Sequence, residues 1–409
     1  MRLLYSIGIY ILSFSIKLLA LFNSKLKLGV DGRKKTFEKL KTSIKHTDKT
    51  FWFHCASLGE YEQGLPVFEA LIEKYPTHKV VLSFFSPSGY EIRKNSKIAD
   101  IVVYLPLDTK ANASRFLDIV NPDYTLFVKY EIWPNYLLEL KKRKLNVILI
   151  SAVFRKSQRF FKWYGGLMRT SLTAFNHIFV QNEDSKILLN SIGYTEVTVS
   201  GDTRFDRVLN QLQVDNSVSF IDNFKNNTLC MVFGSTWPQD DKLYLEYINA
   251  NNTTKFIIAP HHIKSGYINS LKTQLKVKTI CFSDMNDEDL SRYNVFILDT
   301  IGYLSKVYHY ADIVYVGGAA GNTGLHNILE PAVFGKPIII GKNYEKFPEA
   351  KTLISNNGVI SVKTSHAFKS ITNTLISNES MRKKQGHINK NYIYNNCGAV
   401  SKIMEYINV

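Results

Sequence analysis

Hydrophobic and polar positions alternate in two different regimes along this chain. From Leu3 to Phe22 almost every residue is apolar, LLYSIGIYILSFSIKLLALF, with Lys17 as the one charge inside the run. About 20 apolar residues suffice to cross a bilayer, and no small-residue cleavage site follows. The run reads as an uncleaved membrane anchor over residues 1–24, spanning the bilayer or lying in its interface. From Thr50 the pattern changes. Short apolar runs at 51–55, 79–84, 101–106, 124–128, 146–151, 177–181 and 197–201 alternate with amphipathic stretches such as 61–74, 110–120, 134–144 and 183–192. Apolar strands joined by helices predict a parallel sheet with right-handed crossovers.

The alternation stops at 206–227, a polar, Asn-rich stretch that reads as a linker, and restarts with runs at 228–234, 255–260, 295–299, 312–318 and 337–341. The pattern therefore predicts two α/β domains in series, 30–205 and 228–387, with a helix over 388–409 packing back across them. Ligands in such sheets bind at the carboxyl ends of the strands, so the two domains are expected to face a central cleft.

Composition adds a sign of charge. The 409 residues hold 51 Lys and Arg against 35 Asp and Glu, a net charge of +16, which points to an anionic partner. One basic cluster follows the anchor (Lys25, Lys27, Arg33, Lys34, Lys35, Lys39, Lys41, Lys45) and places the rest of the chain on the cytoplasmic side. A second cluster holds Arg155, Lys156, Arg159, Lys162 and Arg169. The four cysteines form no CxxC pair and fit no zinc spacing, which suits a reducing compartment.

Five strand ends carry candidate chemistry. His54-Cys55-Ala56-Ser57-Leu58-Gly59-Glu60 puts a glutamate at a helix start, where the dipole favours its carboxylate form. Tyr130-Glu131-Ile132-Trp133-Pro134-Asn135 places a second acid at the same level. Gly234-Ser235-Thr236 offers donors to an anion, although the same residues suit simple helix capping. Pro260-His261-His262 lacks a third ligand at metal spacing, so phosphate contact or helix entry suits it better than zinc. In the richest, Gly317-Gly318 through Gly324, His326, Asn327 and Glu330, glycines would let backbone amides reach a phosphate ahead of a helix N-terminus, with Glu330 a turn or so into that helix.

In order and spacing these segments resemble the Kdo (3-deoxy-D-manno-octulosonic acid) transferase family over nearly the whole chain. The carrying segments are HCASLGE at 54–60, PLD at 106–108, NPD at 121–123, EIWPN at 131–135, ISA at 150–152, GST at 234–236, APHH at 259–262, GG at 317–318, GLHNILEPA at 324–332 and FPEA at 347–350. The resemblance implies a GT-B fold of two Rossmann-like domains, the first for a lipid A precursor and the second for CMP-Kdo. It implies an inverting transfer with Glu60 as general base and Glu131 as a second required acid. Ser57, Gly59 and Arg155 would then meet the acceptor, and Ser235, Pro260, His261, Gly318, Gly324, His326, Asn327 and Glu330 the nucleotide. No cofactor, metal or nucleic acid is implied, and the place of work is the cytoplasmic side of the inner membrane.

The chain departs from the family pattern twice. Lys129 stands where many members have an acid, and Pro260-His261-His262 where many have Pro-Arg-His. The second change leaves a phosphate contact to a histidine that is charged only part of the time near neutral pH, with Lys342 as a possible substitute cation. The rival readings are a GT-B enzyme using a UDP-sugar and, with less in its favour, a basic membrane-anchored binding protein.

Overall fold

The computed structural model describes residues 2–286 and 288–407. It divides into two compact units: the first runs to Arg207 and is completed by the chain from Cys397 onward, and the second is Val208–Asn396. Each unit is built on one seven-stranded sheet. The first unit holds β1 (Thr50–Cys55), β2 (Lys79–Phe84), β3 (Ile101–Tyr104), β4 (Tyr124–Val128), β5 (Asn146–Ala152), β6 (His177–Val180) and β7 (Val197–Val199). They lie in the order β3-β2-β1-β4-β5-β6-β7, all paired parallel. The second holds β8 (Cys230–Thr236), β9 (Lys255–Pro260), β10 (Thr279–Cys281), β11 (Val295–Ile297), β12 (Ile313–Val316), β13 (Ile338–Ile340) and β14 (Val359–Ser361). Their order, β10-β11-β9-β8-β12-β13-β14, repeats the plan, again all parallel.

Successive residues of a strand point to opposite faces, and here both faces are covered. On β1, Phe51, Phe53 and Cys55 pack with Val67, Phe68 and Leu71 of the helix Leu58–Lys74. Trp52 packs the other way, with Phe116, Leu137 and Leu140. In each sheet one pair of neighbouring strands, β1 with β4 and β8 with β12, marks where the strand order reverses. Crossovers diverge there and leave the carboxyl ends open, the usual place for a ligand in such sheets.

Three expectations are revised. The stretch 206–227 carries helices Thr203–Asn210 and Ser219–Lys225. Val218, Ile221 and Phe224 recur at helical spacing and are buried, a signal hidden among polar neighbours. The expected single C-terminal helix is broken: Glu379–Asn396 belongs to the second unit and Ala399–Ile407 to the first, where Ile403 and Ile407 join the core. Gly398 makes the break at φ +99°, and the amides of Gly398 and Ala399 donate to Asp206. Finally, the three-residue strands β10 and β14 lie outside the predicted runs.

Phe53 is fully buried and stacks on Phe68 at 4.2 Å. Phe53→Ala is predicted to destabilise the first unit by about 3–5 kcal/mol. Denaturant unfolding of the intact chain, followed by a probe in each unit, should show the loss confined to the first unit's transition.

Candidate active site

In the first unit the site is assembled where β1 lies beside β4. His54 is the fifth residue of β1 and has no exposed surface. It lies on the Trp52 side of the sheet, and a chain of hydrogen bonds fixes its ring. Trp52 Nε1 donates to Ser83 Oγ at 2.8 Å, and Ser83 Oγ lies 2.8 Å from His54 Nδ1 but 3.4 Å from Phe53 O. Ser83 thus joins the Trp52 and His54 rings, and Trp133 Nε1 lies 3.1 Å from His54 Nε2 on the other side. Nε2 faces Glu131 Oε2 at 3.2 Å, and Trp133 Nε1 donates to the same oxygen at 2.7 Å. Glu131 sits in the loop after β4 and is thus held by one residue of β1 and one of its own loop. The sequence offers no signal for Ser83, which comes from β2.

Glu60 occupies the first turn of the helix that follows β1 and is 9% exposed. Its Oε2 accepts a 2.5 Å hydrogen bond from the Ala56 amide. Burial, and then the nearby charge of Glu131, push its carboxyl up to about 7, while the Ala56 and Ser57 amides and Lys129 pull the other way. The expectation that the helix start would favour the carboxylate is corrected here: desolvation and a like charge outweigh the dipole. The structure does bring Glu60 and Glu131 together.

Three cations border this pair. Lys129 follows β4 in the left-handed region at φ +68°. Burial, and then Arg204, hold its ammonium below lysine's ordinary value, against the pull of Glu60 and Asp202. Its Nζ lies 5.7 Å from the Tyr130 ring centre, and the guanidinium of Arg155 lies 5.8 Å from the same ring. Arg204 is bound to Asp202 through its amide and its side chain. Ser57 starts the Glu60 helix, and Gly59 is exposed with open space where a Cβ would stand. Other members of the basic clusters are structural. Arg33 donates to Leu105 O, Gly29 O and Phe85 O, and Arg169 to Phe160 O and Lys162 O.

In the second unit the corresponding ends of β8 and β12 close around Asp240, which has no exposed surface. Its carboxylate accepts from Tyr315 Oη at 2.7 Å, Trp237 N at 2.9 Å and Gly318 N at 2.9 Å, with Ala320 N at 3.4 Å. The glycines therefore serve close packing. A Cβ on Gly317 would fall 2.5 Å from Ser235 O, and one on Gly318, at φ +95°, 2.0 Å from Gly324 O. This corrects the expectation of an amide cradle for phosphate, because the amides of Gly318 and Ala320 are turned to Asp240. The helix expected directly after this loop begins only at Leu329, which puts Glu330 in its first turn. Ser235 sits in the left-handed region at φ +55°, where the β8–β9 register shifts, and Gly324 at φ +96°.

Above these turns lies a stack of flat rings. Trp237 and His261 stack at 4.8 Å, His261 and His326 lie 4.3 Å apart, and His262 meets Trp237 edge-on at 4.6 Å. Pro260 closes β9 just before His261. Trp237 Nε1 donates to His326 Nε2 at 2.8 Å. Burial, then His261 and His262, hold His326 down at about 4; burial and then His262 hold His261 below its ordinary value. Burial thus works against the charged form of both rings, and His261 is a poor stand-in for the charge of an arginine. Lys342 and Lys346 instead line a cavity of about 510 Å³ closed by Gly321, Asn322, Thr323 and Gly324. Asn327 Nδ2 donates to Glu330 Oε1 at 3.1 Å, and Ser305 Oγ to Oε2 at 3.1 Å. Ser305 and the bolt role of Asp240 were not anticipated from the sequence; an acid two residues after Trp237-Pro238 was the available hint for Asp240.

Asp240→Asn places an amide NH2 against donors. It is predicted to cost about 2–3 kcal/mol and to loosen the loop at 317–320. Thermal unfolding and amide hydrogen exchange of that loop measure the two effects.

Comparisons with known proteins agree with this architecture. A family model described as 3-Deoxy-D-manno-octulosonic-acid transferase (kdotransferase) matches residues 31–207. The chain is 26% identical to 3-deoxy-D-manno-octulosonic acid transferase of Haemophilus influenzae over 371 residues, 87% of this chain and 86% of that protein. It is 24% identical to the Rickettsia bellii protein of the same name over 402 residues, covering 95% and 93%. Among solved structures, UDP-GlcNAc 2-epimerase from Neisseria meningitidis superposes with a TM-score of 0.61 at 17% identity, covering 88% of this chain and 99% of that one, which is a likeness of fold. Two parallel sheets of one plan, a glutamate pair at the switch point of the first and relatives matched over most of their length lead to one conclusion: the chain is a glycosyltransferase similar to the Kdo transferases.

Proposed function

We propose that this chain transfers Kdo from CMP-Kdo to the lipid A precursor lipid IVA, with inversion, at the cytoplasmic face of the inner membrane, as a step of lipopolysaccharide core synthesis. The observation that carries the reading is the Glu60 carboxyl, buried beside Glu131 and pushed up to about 7. A general base works best when its pKa lies near the operating pH. As an acceptor hydroxyl oxygen attacks the anomeric carbon, its proton passes to Glu60. The bond from that carbon to the CMP oxygen breaks, and CMP leaves with the electron pair. One base and no covalent intermediate give inversion.

Glu131 has two effects in this scheme. Its charge raises the basicity of Glu60, and its bonds to His54 and Trp133 keep that charge in place. Ser57, Gly59 and Arg155 border the same site and suit a phosphorylated acceptor. On the second unit, the Trp237–His261–His326 stack suits a pyrimidine face. The Asn327–Glu330 pair suits ribose hydroxyls, and Lys342 and Lys346 suit a phosphate. Ser235, Pro260, Gly318 and Gly324 shape the turns that carry these groups.

Mass spectrometry of lipid IVA incubated with CMP-Kdo and the intact protein tests the reading. A gain of Kdo units is expected; no gain, with UDP-sugars turned over instead, would replace the donor. Glu60→Gln should lower transfer by about 10²–10⁴-fold while CMP binding stays within about twofold of the original, as read by calorimetry. Because Glu60 acts as its carboxylate, kcat/KM should fall as pH drops below about 7. Glu131→Gln removes the negative charge that raises Glu60, so the residual acid limb should move to lower pH. A limb that stays put or moves up would separate Glu131 from Glu60.

A further inference from the structure

The first helix, Arg2–Leu19, is 18 residues long. At 1.5 Å per residue that is about 27 Å, slightly short of a bilayer's hydrocarbon core of about 30 Å. Length and composition alone leave crossing and lying flat equally open. The contacts of the helix do not. Arg2, Tyr5, Ser6, Ile9, Ser13 and Ile16, with Ser15 beside them and Ala20 just past the last turn, are the sheltered positions, and Ile9 and Ala20 are 9% and 6% exposed. They recur every three or four residues and form one stripe from the start of the helix to its end. The opposite face holds Leu3, Leu4, Ile7, Ile11, Phe14 and Leu18, which are 45–75% exposed or thereabouts, with Leu3 at 74% and Ile7 at 47%.

The covered stripe faces the protein through polar contacts at its start and a largely apolar groove farther along. Tyr5 Oη donates to Asp108 Oδ2 at 2.7 Å, and Arg2 Nε to Asn135 Oδ1 at 3.3 Å. Asp108 is itself fully buried and caps the next helix, accepting from the amides of Asn135 and Tyr136. Farther along, Ser13, Ile16 and Lys17 share a groove of about 480 Å³ with Val30, Arg33 and Thr109. Were this helix to cross the bilayer, the body along its whole length would enter hydrocarbon with it, including Asp108 and Arg33. Ionisable groups at that depth are costly.

We infer that the first helix lies in the plane of the leaflet, docked through Arg2 and Tyr5 onto Asp108 and Asn135, and presents its leucine, isoleucine and phenylalanine face to the acyl chains. Lys17, Lys25, Lys27 and Lys35 are exposed along or just after it and suit anionic headgroups. The dock has a consequence for the site: Asn135 ends the same EIWPN segment that holds Glu131 and Trp133, so the helix braces the start of that segment's helix. The inference rests on the membrane reading but is independent of the sugar transferred.

The test is a depth measurement on the full-length protein in vesicles of phosphatidylethanolamine and phosphatidylglycerol. Leu4→Cys, Ile11→Cys and Leu18→Cys lie on one face, seven residues apart, and each is spin-labelled in a Cys397→Ser background, the other cysteines being buried. Oxygen and nickel-chelate accessibilities give each label's depth. Three equal, shallow depths are expected. An Ile11 label at the bilayer centre, flanked by Leu4 and Leu18 labels near opposite surfaces, would overturn the inference. A protein that leaves the vesicles altogether would overturn the membrane reading itself. The combined Arg2→Met and Tyr5→Phe variant should make the Leu4 label at least twofold more mobile in its line shape and leave the Leu18 label as before. An unchanged Leu4 line shape would remove the two hydrogen bonds as the dock.

Discussion

The first unit's chemistry depends on the parallel pairing of β1 with β4. Phe51 to His54 run in register with Tyr124 to Phe127, so the loops leaving the two strands open side by side. That places a helix-start glutamate from one loop next to a glutamate from the other. Neither loop alone would perturb its acid much, because a glutamate in the first turn of an exposed helix is stabilised as the anion. Side by side and desolvated, one of the two must give way. Glu131 is tied down as an acceptor by Trp133 and lies against the His54 ring, and Glu60 gives way. The cost to its charged form is a few kcal/mol, which brings its carboxyl up to about 7.

The second sheet has the same order of strands but a different solution at the same point. There the buried acid, Asp240, is surrounded by donors from Tyr315, Trp237 and Gly318. It fixes the turns, and the turns present rings. His261 and His326 look basic in the sequence, but packed against one another and an indole both are held below the ordinary histidine value, His326 at about 4. One fold plan thus yields a perturbed acid pair in one unit and a platform of flat rings in the other, and only the identity of the side chains at the strand ends separates them.

Much of this was legible. Strands covered on both faces are near-continuous apolar runs, so twelve of them stand out, and the strand-end motifs fall where the fold leaves openings. What stayed hidden has physical causes. Ser83 matters only because β2 pairs with β1, and a lone serine inside an apolar run carries no mark of that. Asp240 resembles any acid in a first helical turn until burial and three donors single it out. Ser305 reaches Glu330 from a separate segment. The helix Ser219–Lys225 was masked because its apolar residues are few and its polar neighbours many.

The charge of the chain is also redistributed by folding. Arg33 and Arg169 read as parts of basic clusters, yet both are spent on backbone carbonyls, Arg33 on three of them. They hold loops together and offer little to an anion. Near the acid pair stand Lys129, Arg155 and Arg204, the last paired with Asp202, and Lys129 stands where the family resemblance implies an acid in many members. An acid there would add a third negative charge to a desolvated pair and raise Glu60 further. A lysine does the reverse: it pulls Glu60 down, and its own ammonium is held low by burial and by Arg204. Glu60 therefore sits near 7 as the balance of Glu131 and desolvation against Lys129 and two amides.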